Sequence, residues 1–522
     1  MTLIKNALIA DGGGGNAFAG DILINGEYIE AIAPDLGSVP GTERIAATGL
    51  YALPGFIDIH RHGDLIPFAG GGTEELRQGI TTFINGNCGF SAVPSSRQNF
   101  PLLRHYALPV IGAIPERFAG MGFAEFRREL EGCALRSHIG YLCGGGALRI
   151  AVKGFEPGPL SAAEQDRIGG LLQDELDAGV FGLSLGLMYA PENYYSMEEL
   201  AKLCEIPAKQ GRIVTAHLWG EGKSLPESVD KIIRLARRSG ASFHISHLKA
   251  AGRSCWKTRI PGILEKIRTA RDGGLDISFD VYPYTAASTS LVTLLPPALQ
   301  QGGVERMLDR LREPTVRAET AAALRTEQSL WDNLALDLGW DRIVPGRGRE
   351  SGKTIAEIAE ERGQSGEECV FDLLLENRGN VPIFLYSMCE EDVETILAEP
   401  GVIVASDAIY PEDGTAHPRR YGAHARFLSR YAGKKGFEQA LQSVTALPAE
   451  RFGLKTRGRL RKNAVADILL VDRDRLRDTA DYADPARLPE GIVMAMVAGR
   501  PSFFENKREY NAGGKLLLAQ KG

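Results

Sequence analysis

LPGFIDIHRHGD, residues 53–64, is an apolar run that ends in two histidines. Phe56–Ile59 reads as a short buried strand. Side chains two apart on a strand share a face, so His60 and His62 look the same way from its end. Two imidazoles so placed are half of a metal site. A lone pair of this kind more often only caps a strand, so the rest of the chain has to decide. Asp58, on the face of His60, reads as support for the strand end. Arg61 faces away, and nothing in the sequence assigns it a role.

Outward from this stretch the sequence changes rhythm. From about 55, short apolar runs alternate with longer amphipathic ones. Strands are expected at Thr81–Ile84, Ile139–Leu142, Phe181–Ser184, Ile213–Ala216, Phe243–Ser246, Ile277–Val281 and Val402–Ala405. Helices are expected over 122–131, 162–177, 197–209, 226–238 and 258–272. Strand, helix, strand at this pace argues for parallel βα units. A closed barrel of eight suits them better than an open sheet, because no glycine-rich dinucleotide loop follows the first strand. Residues 288–352 break the rhythm with helical stretches and no strand, and read as an insertion on a βα loop, a lid candidate. Before 54 the runs are short strands, with Asn25-Gly26 marking a hairpin. Strands return from about 455, at Gly458–Leu460, Ala466–Val471 and Ile492–Val497. The expectation is an α/β chain: a (β/α)8 TIM-type barrel over 55–440 and a small β domain built from 1–54 and 441–522.

Composition narrows the function class. The 44% hydrophobic and 24% charged fractions are those of an ordinary globular protein. A net charge of −6 without a block of like charges gives no field for nucleic acid or an anionic membrane. No apolar run is long enough to span a bilayer, and the N-terminus is too polar for a secretory signal. Seven cysteines without CxxC spacing fit a reduced, cytoplasmic protein rather than a disulfide frame.

Of nine histidines, four fall at strand ends: His60 and His62, His217 after Ile213–Ala216, and His247 after Phe243–Ser246. Cys88 follows Thr81–Ile84 in the turn NGNCGFS, and Asp407 follows Val402–Ala405. A barrel delivers all its strand C-termini to one rim. Six ligand-type side chains from five strand ends would therefore meet in one pocket, which chance rarely arranges. Zinc accepts imidazole, thiolate and carboxylate together, and a carboxylate beside it can relay a proton. Asp407 suits that role. Taken alone, Asp407 would be a helix N-cap and Cys88 a small apolar core residue. Cys133, Cys143, Cys204, Cys255, Cys369 and Cys389 keep the core reading. His244 is out of phase with the rim and reads as structural, and His105 and His138 carry no role.

These residues in this order resemble the amidohydrolase superfamily, and within it the N-acyl-D-amino-acid deacylases (D-aminoacylases). The segments GITTFINGNCGFS, GVFGLSLGLMYAP, ISHLKAAG, DVYPYTAAST, SDAIYPEDGTAHPRRYG, RFGLKTRGRL and VADILLVDRDRLRDTADYADP carry the resemblance over nearly the whole chain. It implies a deformed barrel with a β-sandwich from both chain ends, and zinc as one or two ions. It implies His60, His62 and Asp407 on one metal position and Cys88, His217 and His247 on the other. No lysine stands between Lys153 and Lys202 to bridge two metals, in keeping with a cysteine-ligated subgroup. The resemblance further implies a clamp of Lys249, Tyr282 and Arg419 for the substrate's α-carboxylate. The implied substrate is a small N-acyl-D-amino acid. Read alone, the three would be a surface lysine, a core tyrosine and a surface arginine. The chain departs from the family at Gly145, where a histidine is usual, and at Trp219, where an arginine is usual. The competing expectations are a cyclic-amide hydrolase like dihydroorotases or hydantoinases, a dipeptidase releasing a C-terminal D-residue, and a non-catalytic binding relative.

Overall fold

Alternating apolar residues set the first five strands, β1 (Thr2–Ile9), β2 (Phe18–Asn25), β3 (Tyr28–Ala33), β4 (Glu43–Ala46) and β5 (Tyr51–Pro54). Asn25 pairs with Tyr28 across a two-residue turn, and Gly26 takes the left-handed φ of 59° that this turn needs. The structure is a computed structural model that describes residues 1–329, 331–347, 350–412, 414–506 and 511–520. Leu330, Gly348 and Arg349 of the expected insertion lie outside the described residues. So do Asp413 of the segment SDAIYPEDGTAHPRRYG and residues 507–510, 521 and 522 of the expected C-terminal part.

The barrel follows. Its strands are β6 (Phe56–Asp58), β7 (Ile80–Asn85), β8 (His138–Tyr141), β9 (Cys143–Gly144), β10 (Gly182–Gly186), β11 (Ile213–His217), β12 (Ser242–Ile245) and β13 (Ile277–Val281). All pair in parallel, in two arcs. β8 and β9 share the third position, interrupted at Leu142, so β8 pairs with β7 and β9 with β10. Helices cover the outside close to their expected spans, at Phe123–Glu131, Ala162–Ala178, Met197–Lys209, Leu225–Ser239 and Ile260–Asp272. Leu225–Ser239 buries Val229, Ile232, Ile233 and Ala236 on one face, as its 3.6-residue period requires. Ser161 and Ser196 open two of the helices by accepting from the backbone N–H groups of Glu164 and Glu199.

Between the seventh and eighth barrel strands the structure corrects the sequence reading. The region does contain strands: β14 (Ala287–Ser290), β15 (Ile343–Pro345) and β16 (Pro382–Leu385) form an antiparallel sheet with its own core around Leu294, Leu308, Leu311, Ile358 and Phe371. Each strand is too short to show a period, and pairing spans about a hundred residues. The eighth barrel strand, β17 (Ile403–Val404), pairs with β13. Closure onto β6 runs through the ligand-bearing loops: Asp407 N donates to the His60 carbonyl at 2.9 Å and His62 N to the Ala408 carbonyl at 2.9 Å. Arg61, to which the sequence assigns no role, is buried beneath this seam, paired with Asp58 at 3.0 Å and Glu75 at 2.8 Å. Ala449 and Phe452 pack with Ile57, Phe181 and Ile213, so residues 446–452 serve the barrel interior.

The last strands, β18 (Ile468–Val471), β19 (Ile492–Val497) and β20 (Arg500–Phe504), join the first five in one sheet, with β18 antiparallel to β5. The sheet folds over a core of Ile4, Ile9, Ile22, Ile24, Leu470 and Met496, and a Tyr28–Val465 bridge ties its far edge back. Gly458–Leu460 is not a strand: Gly458 turns the chain at φ 77°, and Leu460 N is bonded to the Asp11 carbonyl. Among the described residues no helix is long and apolar enough to cross a membrane.

Candidate metal centre and substrate cavity

Six side chains at the C-terminal rim come together as the strand ends require. His60, His62, Cys88 and Asp407 form one buried group, and Cys88, His217 and His247 another, with their donor atoms in each group within 4.8 Å of one another. Cys88 belongs to both. Its Sγ lies 3.2 Å from His60 Nε2 and 3.4 Å from His247 Nε2. Asp407 Oδ1 lies 3.2 Å from His62 Nε2 and 3.4 Å from His60 Nε2. His217 Nδ1 lies 2.9 Å from His247 Nε2.

These spacings suit a metal. Bonds of about 2.1 Å to nitrogen and 2.3 Å to sulfur place neighbouring donors of a tetrahedral site roughly 3.3–3.6 Å apart. Four of the five contacts above fall within about 0.1 Å of that range, and the His217–His247 contact is tighter. The donor set of imidazole, thiolate and carboxylate is the one zinc accepts. His217 Nε2 and His62 Nδ1 are buried without a hydrogen-bond partner.

Backbone geometry aims the donors. Cys88, His247 and Asp407 hold φ of 51°, 38° and 50°. Such left-handed values cost a non-glycine residue on the order of 1–3 kcal/mol and gather at functional sites. Each sits just past a barrel strand, where the turn directs its side chain into the barrel mouth.

Two carboxylates that sequence reasoning missed orient the rings. Asp280, inside β13, lies 3.0 Å from His60 Nδ1 and 2.9 Å from His244 Nε2 through Oδ2, and accepts from His247 N at 2.7 Å through Oδ1. His244 is thus structural, as its phase indicated. Glu221 Oε1 lies 3.1 Å from His247 Nδ1 and 2.6 Å from Lys249 Nζ. A carboxylate on Nδ1 leaves Nε2 free for a metal. A signal for Asp280 was present: a charged residue inside the apolar strand ISFDV.

The electrostatics are those of a coupled cluster. Burial would raise the Asp407 carboxyl, but Arg419, His60 and His247 outweigh it and hold it well below the usual range. Burial likewise opposes ionisation of Cys88, yet His60 and His247 bring its thiol well below normal.

The clamp residues stand in the same place. A cavity of about 690 Å³ is lined by His62, Cys88, His217, His247 and Asp407 together with Lys249, Tyr282 and Arg419. Arg419 Nη1 lies 2.9 Å from Asp407 Oδ2, and its guanidinium stacks 4.5 Å from the Tyr282 ring centroid. Among the described residues the Tyr282 hydroxyl and Arg419 Nε find no hydrogen-bond partner. All three side chains are buried, which corrects the surface reading of Lys249 and Arg419 taken alone. Trp219 also lines the cavity. At Gly145, a Cβ would meet the Glu192 carboxyl at 2.4 Å. Burial raises that carboxyl to about 8. Of the other cysteines, Cys143, Cys204, Cys255 and Cys369 are buried, whereas Cys133 and Cys389 are only half-buried.

Comparison with known proteins agrees with this geometry. The chain is 32% identical to an N-acyl-D-glutamate deacylase of Alcaligenes xylosoxydans xylosoxydans, over 95% of this chain and 92% of that one. It is 28% identical to a D-aminoacylase of the same organism, over 99% and 97%. Among solved structures it superposes with a TM-score of 0.83 on the N-acyl-D-glutamate deacylase of Bordetella bronchiseptica, complexed with zinc and a phosphonate mimic of the tetrahedral intermediate. That match has 27% identity and covers 99% of each chain. The sequence profile of the amidohydrolase family matches residues 43–503. With the barrel, the rim of histidines and the profile in agreement over most of its length, the chain belongs to the amidohydrolase family.

Proposed function

We propose that this protein is a zinc-dependent hydrolase that cleaves the amide bond of N-acyl-D-amino acids, releasing a carboxylate and a free D-amino acid. One observation carries the reading: a donor cluster fit for zinc and three donors fit for a carboxylate open into one cavity. The similar proteins named for N-acyl-D-glutamate and for D-amino acids support it.

His60, His62, Cys88, His217, His247 and Asp407 would hold zinc, as one ion or two, with Cys88 common to both donor groups. Zinc, when bound, supplies a Lewis acid for the acyl oxygen and lowers the pKa of a water enough for attack at neutral pH. Arg419, Tyr282 and Lys249 bind the substrate's α-carboxylate through charged and phenolic donors. Fixing that carboxylate and the amide carbon sets the hand of the amino acid, and the relatives named for D-amino acids point to the D form. Asp407 takes the proton of the attacking water and returns it to the leaving nitrogen. Its carboxyl is a weak base while Arg419 pairs with it. A substrate carboxylate that engages Arg419 loosens that hold and makes Asp407 a better base when substrate is present.

The test is turnover of N-acetyl-D-amino acids beside their L-forms by zinc-loaded protein. D-selective hydrolysis is expected, and equal rates for both hands would refute the clamp.

A further inference from the structure

We infer that the side chain of the preferred substrate is uncharged: the cavity takes N-acyl-D-amino acids with apolar or aromatic side chains and discriminates against D-glutamate and D-aspartate derivatives. The inference rests on the hydrolytic reading above and narrows it. It runs against the simplest transfer from the relative named for D-glutamate.

Among the described residues four lysine or arginine side chains line the cavity: Lys223, Lys231, Lys249 and Arg419. Lys249 and Arg419 face the donor cluster, and their spare donors with the Tyr282 hydroxyl serve one carboxylate, that on Cα. Both are themselves paired, with Glu221 and Asp407, and the other two are more exposed and paired as well. Lys231 Nζ is 2.8 Å from Glu227, one helical turn away, and lies 5.3 Å from the Trp219 ring centroid. Lys223 pairs with Glu327. Asp332 lines the same wall and accepts from the backbone N–H groups of Gly222 and Ser224. Among the described residues of the lining no unpaired cation is left over for a second carboxylate.

The surfaces next to the cluster are apolar. The Phe90 ring lies 6.1 Å from that of His62, and the Tyr189 ring 4.8 Å from that of His217. Val110, Leu187, Met188 and Ile409 continue this wall. A side-chain carboxylate seated there would lose water and meet only neutral donors such as the buried Ser288 and Ser387 hydroxyls, which leave its charge unbalanced, whereas an apolar side chain gains by the same burial.

Steady-state kinetics of the zinc-loaded protein test the inference. The substrates are N-acetyl-D-leucine, N-acetyl-D-methionine and N-acetyl-D-phenylalanine against N-acetyl-D-glutamate and N-acetyl-D-aspartate. The best apolar substrate is expected to exceed both acidic ones in kcat/KM by about 100-fold, the scale on which sites reject a misfitted polar group. An advantage above tenfold supports the inference. A smaller one, or an acidic substrate in front, overturns it and leaves the hydrolytic reading standing. If zinc-loaded protein turns over none of the five, the hydrolytic reading fails and this inference falls with it.

Discussion

Asp280 Oδ2 lies 3.0 Å from Nδ1 of His60, so a carboxylate buried in the seventh barrel strand fixes the ring that the first strand delivers. Second partners of this kind set tautomer and orientation, and their loss typically costs a metal site 10–100-fold in affinity. Asp280→Asn is therefore expected to weaken zinc binding by about 10–100-fold, measured by competition with a chromophoric chelator. An unchanged affinity would remove Asp280 from the site.

Asp407→Asn is expected to lower kcat by roughly 10²–10⁴-fold, the range of general acid–base catalysis. Zinc content and circular dichroism are measured alongside, because Asp407 also contacts His60 and His62. Wild-type turnover in zinc-loaded variant protein would exclude Asp407 as the proton carrier.

Arg419→Met has two expected effects. It removes a charged donor to the substrate carboxylate, so kcat/KM falls by about 10–150-fold, mostly through KM. It also shifts the pH profile in a defined direction. Although burial raises the Asp407 carboxyl, Arg419 is the leading influence that lowers it. Without Arg419 the Asp407 pKa rises. The acid limb of kcat/KM, which needs Asp407 ionised, then moves to higher pH. A limb that stays in place or moves lower would show that Arg419 does not control Asp407.

Stability has its own test at the seam between barrel and terminal sheet. Asp467 Oδ1 lies 3.1 Å from His138 Nε2 and accepts from Ala498 N at 2.9 Å, while Arg457 pairs with Oδ2. Burial would raise Asp467, but His138 and Arg457 together hold it below the usual range. Burial lowers His138, although Asp467 pulls it the other way. A depressed carboxylate stabilises the fold above its unfolded value of about 3.9, and the gain is lost as pH falls from there toward the folded value. Asp467→Asn should thus cost on the order of 3 kcal/mol at pH 7. Its gap to wild type should shrink below about pH 4. Denaturant titrations at both pH values measure it, and a gap that widens in acid would contradict the assignment.

The residues brought together at the rim were legible because strand ends share one destination in a barrel. His60, His62, Cys88, His217, His247 and Asp407 each follow an apolar run, and the order of those runs is the order of the strands. Residues acting across strands were harder to see. Asp280 reaches His60 over 220 positions, and the function of Glu221 depends on the bend of the loop after His217. Arg61 drew no assignment because a strand pattern says which face a residue takes, not what lies across a seam. β14 and β15 were missed because strands of three or four residues carry no period. Gly458–Leu460 was overcalled because an apolar residue near a basic one imitates a strand where a glycine turns the chain.

The antiparallel pairing of β5 with β18 also bears on how the chain is made. Roughly 400 residues separate the two strands. At about 5–20 residues per second, a ribosome needs between roughly 20 and 80 seconds to cross that interval. For all that time the first five strands are outside the tunnel with an unpaired edge at β5, while the barrel assembles behind them. An edge left open for that long is a site for chaperone binding or for pairing with another chain. Slower translation of the middle of the message should cost yield through strand-edge aggregation before it costs anything at the metal centre.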